Sequence, residues 1–255
     1  MKNIWTLCKK EVKSYFTSPI AYVVISVFLV LVGFFFYNLI WWFNTQSLQL
    51  ARNPYYFQQL NINQMVYSPL FHNTSIILLL MIPILSMRLF SEEKKIKTEE
   101  LLYTSPISVT QIILGKYIAS LLVVFIMLFL SGILSIFTFF YGNPELVPIL
   151  NGYLGLLLLG AAFMSIGIFF SSLTENQIVA AVLTFGALLL FWVLNWASYS
   201  AAGMWKDVLN YLSIFQHFDN MTQGILDTTD VIYYLSFIFL GLFLTHSVIQ
   251  SRRWR

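Results

Sequence analysis

Six stretches of this chain are each long and apolar enough to cross the hydrocarbon core of a bilayer, which takes about 20 residues of helix. They fall at about 20–41, 71–90, 117–141, 149–171, 177–199 and 231–250. The composition allows little else. Hydrophobic residues are 58% of the chain and charged residues 10%, against about 25% charged in an ordinary soluble domain. Too few charges remain to cover a water-facing surface. The expected fold is an all-α integral membrane protein, a single domain over residues 1–255 with six transmembrane helices.

The polar intervals set the orientation. Lys2, Lys9, Lys10, Lys13, Arg88, Lys94, Lys95, Lys97, Lys116, Arg252, Arg253 and Arg255 all fall on one side of a six-span arrangement, and only Arg52 and Lys206 on the other. The positive-inside rule then places both termini and the interval 91–116 in the cytoplasm. Trp41 and Trp42 at the end of the first run, and Trp192 and Trp196 in the fifth, suit the membrane interface. Pro83 predicts a kink in the second span, and Asn143, Pro144 and Pro148 separate the third span from the fourth.

Ahead of the first run, Ile4, Leu7, Val12, Tyr15 and Phe16 form a helical stripe with lysines mostly on the other side. That pattern predicts an amphipathic helix in the headgroup region, turned into the membrane at Pro19. A secretory signal is rejected because the run from Ile20 is too long and no small-residue cleavage site follows it. Two intervals on the far side exceed what a connection needs. Residues 43–70, polar and aromatic, are expected to form short helices at the outer interface. Residues 200–230, with Trp205, Val208, Leu209, Leu212, Phe215 and Phe218 at helical spacing, are expected to form a short re-entrant or interfacial helix pair. Gly203, Gly224 and Asp227–Asp230 bound that pair.

Chemistry of the chain's own is not indicated. Gly115-Lys116 lacks the earlier glycine of a phosphate-binding loop, and neither a His-Glu-x-x-His helix nor a Gly-x-Ser-x-Gly elbow occurs. His72, His217 and His246 are far apart in sequence, so a metal site would need distant parts of the fold to meet. The single cysteine, Cys8, excludes an internal disulfide and reads as a packing residue. A net charge of +3 does not point to nucleic acid. The spans hold no acidic residue, and Arg88 and Lys116 lie at cytoplasmic ends. Ion-coupled carriers keep ionisable groups at membrane depth, so any transport must draw its energy from elsewhere. Small residues four apart (Ser131 and Ser135, Ala161 and Ser165, Gly167 and Ser171) permit close helix approach, read first as packing within the chain.

The interval 91–116, SEEKKIKTEELLYTSPISVTQIILGK, carries Glu92, Glu93, Lys94, Lys95, Lys97, Glu99, Glu100 and Lys116 between two apolar runs. Ser91 and the two acids after it read as a helix start. Good helix formers continue from Glu92 to Leu102, with Ile96, Leu101 and Leu102 as an apolar side. Thr104-Ser105-Pro106 ends that helix, and Ser108 can cap the next. Such a cytoplasmic helix-turn-helix is a place for a soluble partner to dock.

The string Glu92-Glu93-x-x-x-x-Thr98-x-Glu100-Leu101-Leu102-x-Thr104-Ser105-Pro106-Ile107-Ser108, with Gly115-Lys116 beyond it, resembles the cytoplasmic loop of ABC-2 type permeases, the membrane subunits of ATP-binding-cassette exporters. Lys9-Lys10-Glu11 with Tyr15-Phe16-x-Ser18-Pro19 is similar to the start of the same family. The resemblance covers the whole chain, and the gliding-motility-associated permease branch is the one it looks most like. One position departs: the family usually has Gly-Thr where this chain has Lys97-Thr98, so a straighter helix is expected here.

The resemblance implies that the N-terminal helix (Lys9, Lys10, Glu11, Tyr15, Phe16) and the coupling helix between spans two and three contact a separate ATPase subunit. It further implies that Glu92, Glu93, Thr98, Glu100, Leu101, Leu102, Ser105 and Pro106 transmit nucleotide-driven motion. ATP and Mg would sit on the partner and no cofactor on this chain. A second permease copy or a related permease would complete the transporter in a bacterial inner membrane. Residues 200–230 would match the helices that cap the path outside. The reading from another class is a scaffold that anchors an ATPase in a motility or envelope assembly and moves nothing.

Overall fold

The computed structural model describes residues 2–50, 61–98, 107–200 and 203–253, and these residues are almost entirely helical, with no strand among them. Helix α1 (Lys2–Thr17) ends at a bend on Ser18, whose hydroxyl accepts from the N–H of Ile20 at 3.4 Å. Helix α2 (Pro19–Leu50) opens on proline, which has no N–H to leave unpaired in a first turn. The second span begins with a π-helical turn (Asn63–Tyr67), continues as α3 (Ser68–Ser86) and, after Met87, as α4 (Arg88–Lys95). Then follow α5 (Val109–Tyr141), α6 (Leu146–Leu173), α7 (Gln177–Ser200), α8 (Met204–Leu212), α9 (Ile214–Thr222) and α10 (Thr228–Arg253).

Six helical segments are long and apolar enough to cross a membrane: Pro19–Gln49, Asn63–Lys95, Val109–Phe140, Leu146–Leu173, Gln177–Ala197 and Thr228–Ser251. They fall on the six apolar runs of the sequence and extend most of them. The largest departure concerns residues 43–70. No Gly or Pro interrupts 41–50, and Thr45 and Ser47 donate to carbonyls of their own helix at 2.8 Å. The first span therefore runs on to Leu50, where separate short helices were expected.

Two spans form the centre. The π-turn with α3–α4, and α6, are mostly buried, whereas α2, α7 and α10 keep most of their apolar surface outward. Small residues let the centre close. A Cβ on Gly152 of α6 would lie 2.0 Å from the ring of Phe71 on α3, so that contact requires glycine. Gly241 of α10 abuts Ser165 and Gly167 abuts Ser86 in the same way. Of the small residues four apart, Ser165 and Gly167 thus serve packing within the chain.

Buried hydroxyls are satisfied locally, as an apolar medium demands. Thr74, Ser120, Ser165, Thr184 and Thr245 donate to carbonyls three or four residues back on their own helices. Buried tyrosines join helices: Tyr117 donates to the carbonyl of Ala161 at 3.0 Å and Tyr234 to that of Ile214 at 2.7 Å. Tyr67 meets Thr138.

Before the last span, α8 and α9 form a pair of short helices. It is bounded by Gly203 (φ 64°) and Gly224 (φ 86°), where the left-handed backbone favours glycine. Ser213 between the two helices caps α9, accepting from the N–H of Gln216 at 3.3 Å.

Candidate functional site

The charged interval after the second span folds differently from its sequence expectation at both ends. Ser91 does not start a helix. It lies inside α4, its hydroxyl turned back to the carbonyl of Met87. The helix also stops at Lys95, well short of Leu102. Ile96 caps it, and Lys97 takes φ 56°, the left-handed conformation. The N–H of Thr98 reaches the carbonyl of Glu93 at 2.9 Å and that of Lys97 the carbonyl of Lys94 at 3.0 Å. These two bonds are a Schellman C-cap. Lys97 stands where such a cap prefers glycine, so the departure from the family pattern leaves the turn in place and loads it with strain, where a straighter helix was expected.

A left-handed backbone costs a residue with a Cβ about 1–2 kcal/mol. Lys97→Gly is therefore expected to stabilise the chain by about 1 kcal/mol, and Lys97→Val to destabilise it. Melting temperatures in lipid nanodiscs measure both. Unchanged melting in the two variants would mean the turn carries no strain.

Residues 99–106 lie outside the described residues, so the structure does not place Glu100, Leu101, Leu102, Ser105 or Pro106. On the far side Ser108 caps α5 as expected. It accepts from the N–H of Gln111, whose side chain accepts in return from the N–H of Ser108, closing a capping box.

Three elements meet at Lys116, in the second turn of α5. Its side chain is 2% exposed, and its ammonium lies 3.0 Å from Glu11 Oε1 on α1 and 2.9 Å from Glu93 Oε1 on α4. The ring of Phe90 lies 5.2 Å away on a third side. Lys10 approaches Glu93 Oε1 from the solvent side at 4.0 Å. Glu93 Oε2 is buried without a hydrogen-bond partner among the described residues. Gly115 makes the approach possible: a Cβ there would lie 2.8 Å from Leu7 Cβ and 3.3 Å from the carbonyl oxygen of Ile4.

Tyr15 completes the seam. Its hydroxyl donates to the carbonyl of Leu85 at 2.8 Å, and the Arg88 guanidinium sits 4.5 Å from its ring. Burial pushes the Tyr15 phenol above its usual range, with Arg88 opposing. Burial, aided by Glu11, also raises Cys8, so that thiol stays protonated and inert. Glu92 and Thr98 border the cleft of about 520 Å³ that opens beside the lysine.

The other side of α4 is fastened to the end of α6. Ser171 Oγ donates to the carbonyl of Met87 at 3.0 Å and accepts from the N–H groups of Phe90 and Ser91 at 3.0 and 3.3 Å. It fills the break between α3 and α4. Lys94, 3% exposed, donates to the carbonyl of Ser172. A displacement of α4 would therefore be felt by α1, α5 and α6 together.

Of the residues singled out from sequence, the structure brings Lys10, Glu11, Tyr15 and Glu93 to this junction, with Glu92 and Thr98 at its edge. Lys9 and Phe16 lie on the opposite flank of α1. Sequence reasoning missed Lys116, Lys94, Ser171 and Ser172 as members. A lysine directly after a glycine, at the threshold of an apolar run, was the available signal for Lys116.

A second polar cluster lies between the helix pair and the last span. His217 Nδ1 is 2.6 Å from Asp230 Oδ1 and its Nε2 is 3.1 Å from the carbonyl of Tyr211. Asn220 donates to Asp230 Oδ2 at 3.1 Å, and the imidazole stacks on Tyr233 at 4.0 Å. His72 of α3 reaches Asp219 of α9 at 3.7 Å. Burial raises the Asp219 carboxyl above the usual carboxylate range, partly offset by His72. His72 thus comes to the short helix that carries His217, and each histidine is paired with its own aspartate. No group of three or more metal-binding side chains occurs among the described residues.

A family model described as ABC-2 family transporter protein matches residues 5–249. Comparison with curated proteins finds no match. The match spans α1, the junction, all six membrane-length helices and the helix pair. The chain belongs to the ABC-2 family of transporter proteins, the membrane permease subunits of ABC transporters.

Proposed function

We propose that the chain is the permease of an ABC exporter in a bacterial inner membrane, with both termini and the Lys116 junction in the cytoplasm. A separate ATPase subunit binds ATP and Mg. Closure of two such subunits pushes on the interval 91–116, which converts it into tilting of spans one, two and five, with α4 passing the push to α1, α5 and α6 at the junction. Glu92, Glu93, Thr98, Glu100, Leu101, Leu102, Ser105 and Pro106 form the receiving surface, with α1 (Lys9, Lys10, Glu11, Tyr15, Phe16) beside it. A second copy or a related permease completes the path, and α8–α9 cap it outside as re-entrant helices. Within the family, the motif pattern favours the gliding-motility-associated branch.

The observation that carries this reading is the buried Glu11–Lys116–Glu93 contact. It joins the amphipathic N-terminal helix and the inter-span stretch at the lysine-rich end, where the positive-inside rule expects cytoplasm. The test uses Glu100→Arg and Leu101→Asp. Each is expected to abolish ATPase association or coupling while the chain still inserts in the membrane. If both variants transport normally, the coupling assignment fails. Reconstituted vesicles supply the second arm: ATPase binding with no ATP-dependent substrate movement would identify a scaffold instead.

A further inference from the structure

The junction occupies one side of α1 and leaves the other unexplained. Leu7, Cys8 and Tyr15 are buried against the bundle, Glu11 reaches Lys116, and Lys10 and Ser14 border the cleft beside α4. On the opposite flank Trp5, Lys9, Val12, Lys13 and Phe16 recur at helical spacing. With Leu122 of α5 they line an apolar groove of about 310 Å³. Trp5 is 57% exposed, and the Lys9 ammonium lies 5.5 Å from its ring centre. Phe16 packs edge-on against Tyr22 at the start of α2, centroids 5.7 Å apart. Lys9 and Lys13 are exposed, and neither has a carboxylate partner among the described residues.

Membrane-surface chemistry accounts for this combination. Leu122 belongs to the apolar part of a membrane-length helix, so the groove floor lies at the hydrocarbon edge. Tryptophan prefers that boundary. Lysines at such a rim lay their methylenes on apolar surface and hold the ammonium in the headgroup layer. Small soluble anions have no use for an apolar floor, and a zwitterionic lipid gains no net charge attraction from two lysines.

We propose that the groove between α1 and α5 binds one anionic phospholipid, its acyl chain against Val12, Phe16 and Leu122 and its phosphate between Lys9 and Lys13. The bound lipid anchors α1 from the bilayer side while Glu11 holds it from the protein side. The inference rests on α1 lying at the membrane surface, as in the reading above. It is tested without the ATPase, so its failure is separate from failure of the coupling assignment.

The full chain is purified, and native mass spectrometry follows a titration of phosphatidylglycerol against phosphatidylcholine with the same acyl chains. A basic residue near the surface contributes about 1 kcal/mol towards anionic lipid, so two give a preference of roughly tenfold or more. Wild type is expected to retain one phosphatidylglycerol with that preference, and salt should weaken it. Lys9→Gln with Lys13→Gln is expected to abolish the preference, and the double arginine variant to keep it. These positions are exposed, so folding is not at stake. Leu122→Trp, which fills the floor, should reduce retention of both lipids. The proposal is overturned if the double glutamine variant keeps the wild-type preference. Displacement of phosphatidylglycerol by inorganic phosphate alone overturns it too, because the groove would then be a simple anion site.

Discussion

Lys116→Met is expected to lower the stability of the chain by about 3–5 kcal/mol, the range for breaking a buried ion pair by removing one partner. The lysine is the cation shared by two carboxylates that are each less than a fifth exposed. Without it, Glu11 loses its ion-pair partner and Glu93 keeps only the exposed Lys10 at 4.0 Å, and Glu93 Oε2 already has no partner among the described residues. Replacing the whole set, with Glu11→Gln and Glu93→Gln added, removes the buried charge and should recover most of the loss. Thermal unfolding in nanodiscs measures both. Hydrogen exchange then separates tether from filler. If electrostatics hold α1 to α4, amides of α1 lose protection in the neutral triple variant even though global stability returns. Wild-type stability for Lys116→Met would remove the junction from the argument.

The six spans were legible because their signal is long: each needs only a count of apolar residues, and about 20 in a row tolerate an error of several at either end. What failed to show was decided by single residues whose alternatives differ little in energy. From Glu92 to Leu102 most residues are good helix formers, yet the helix stops at Lys95, where a Schellman cap satisfies its last carbonyls. The left-handed residue after the cap is Lys97, so the usual glycine marker was missing. Ser91 carried the opposite error. Serine before two acids is a good helix start, but the break had already occurred at Met87, with Ser171 of another span filling it.

Lys116 shows a third kind of limit. Its partners are at positions 11 and 93, on two other helices. Sequence alone marks it as a charge at the edge of an apolar run and gives no indication that both acids converge on it. The histidines failed for the same reason. Their separation in sequence argued against a shared site, and the fold brings His72 to α9, which carries His217, while giving each a different carboxylate.

Asp230→Ala should have the second large effect, at the opposite end of the bundle. His217 Nε2 faces the carbonyl of Tyr211, which only accepts, so that nitrogen carries a proton. Nδ1 lies 2.6 Å from Asp230 Oδ1, and Asp230 Oδ2 accepts from Asn220. The ring is also stacked on Tyr233. Asp230 also sits in the first turn of α10, where a negative charge favours the helix end.

Alanine removes all of these contributions and leaves the imidazole buried without its carboxylate, a loss of about 3 kcal/mol. The damage should be local. Gly241 of α10 still abuts Ser165 of α6, so the last span keeps its place while α8 and α9, left with the bonds from Tyr233 and Tyr234, loosen. Hydrogen exchange is expected to rise across 204–222 and stay unchanged at 88–98. Replacing both partners, His217→Phe with Asp230→Leu, should restore protection, because two apolar groups leave no charge unpaired. If Asp230→Ala leaves exchange across 204–222 as in wild type, the helix pair is held by packing alone and the His217–Asp230 contact is incidental to it.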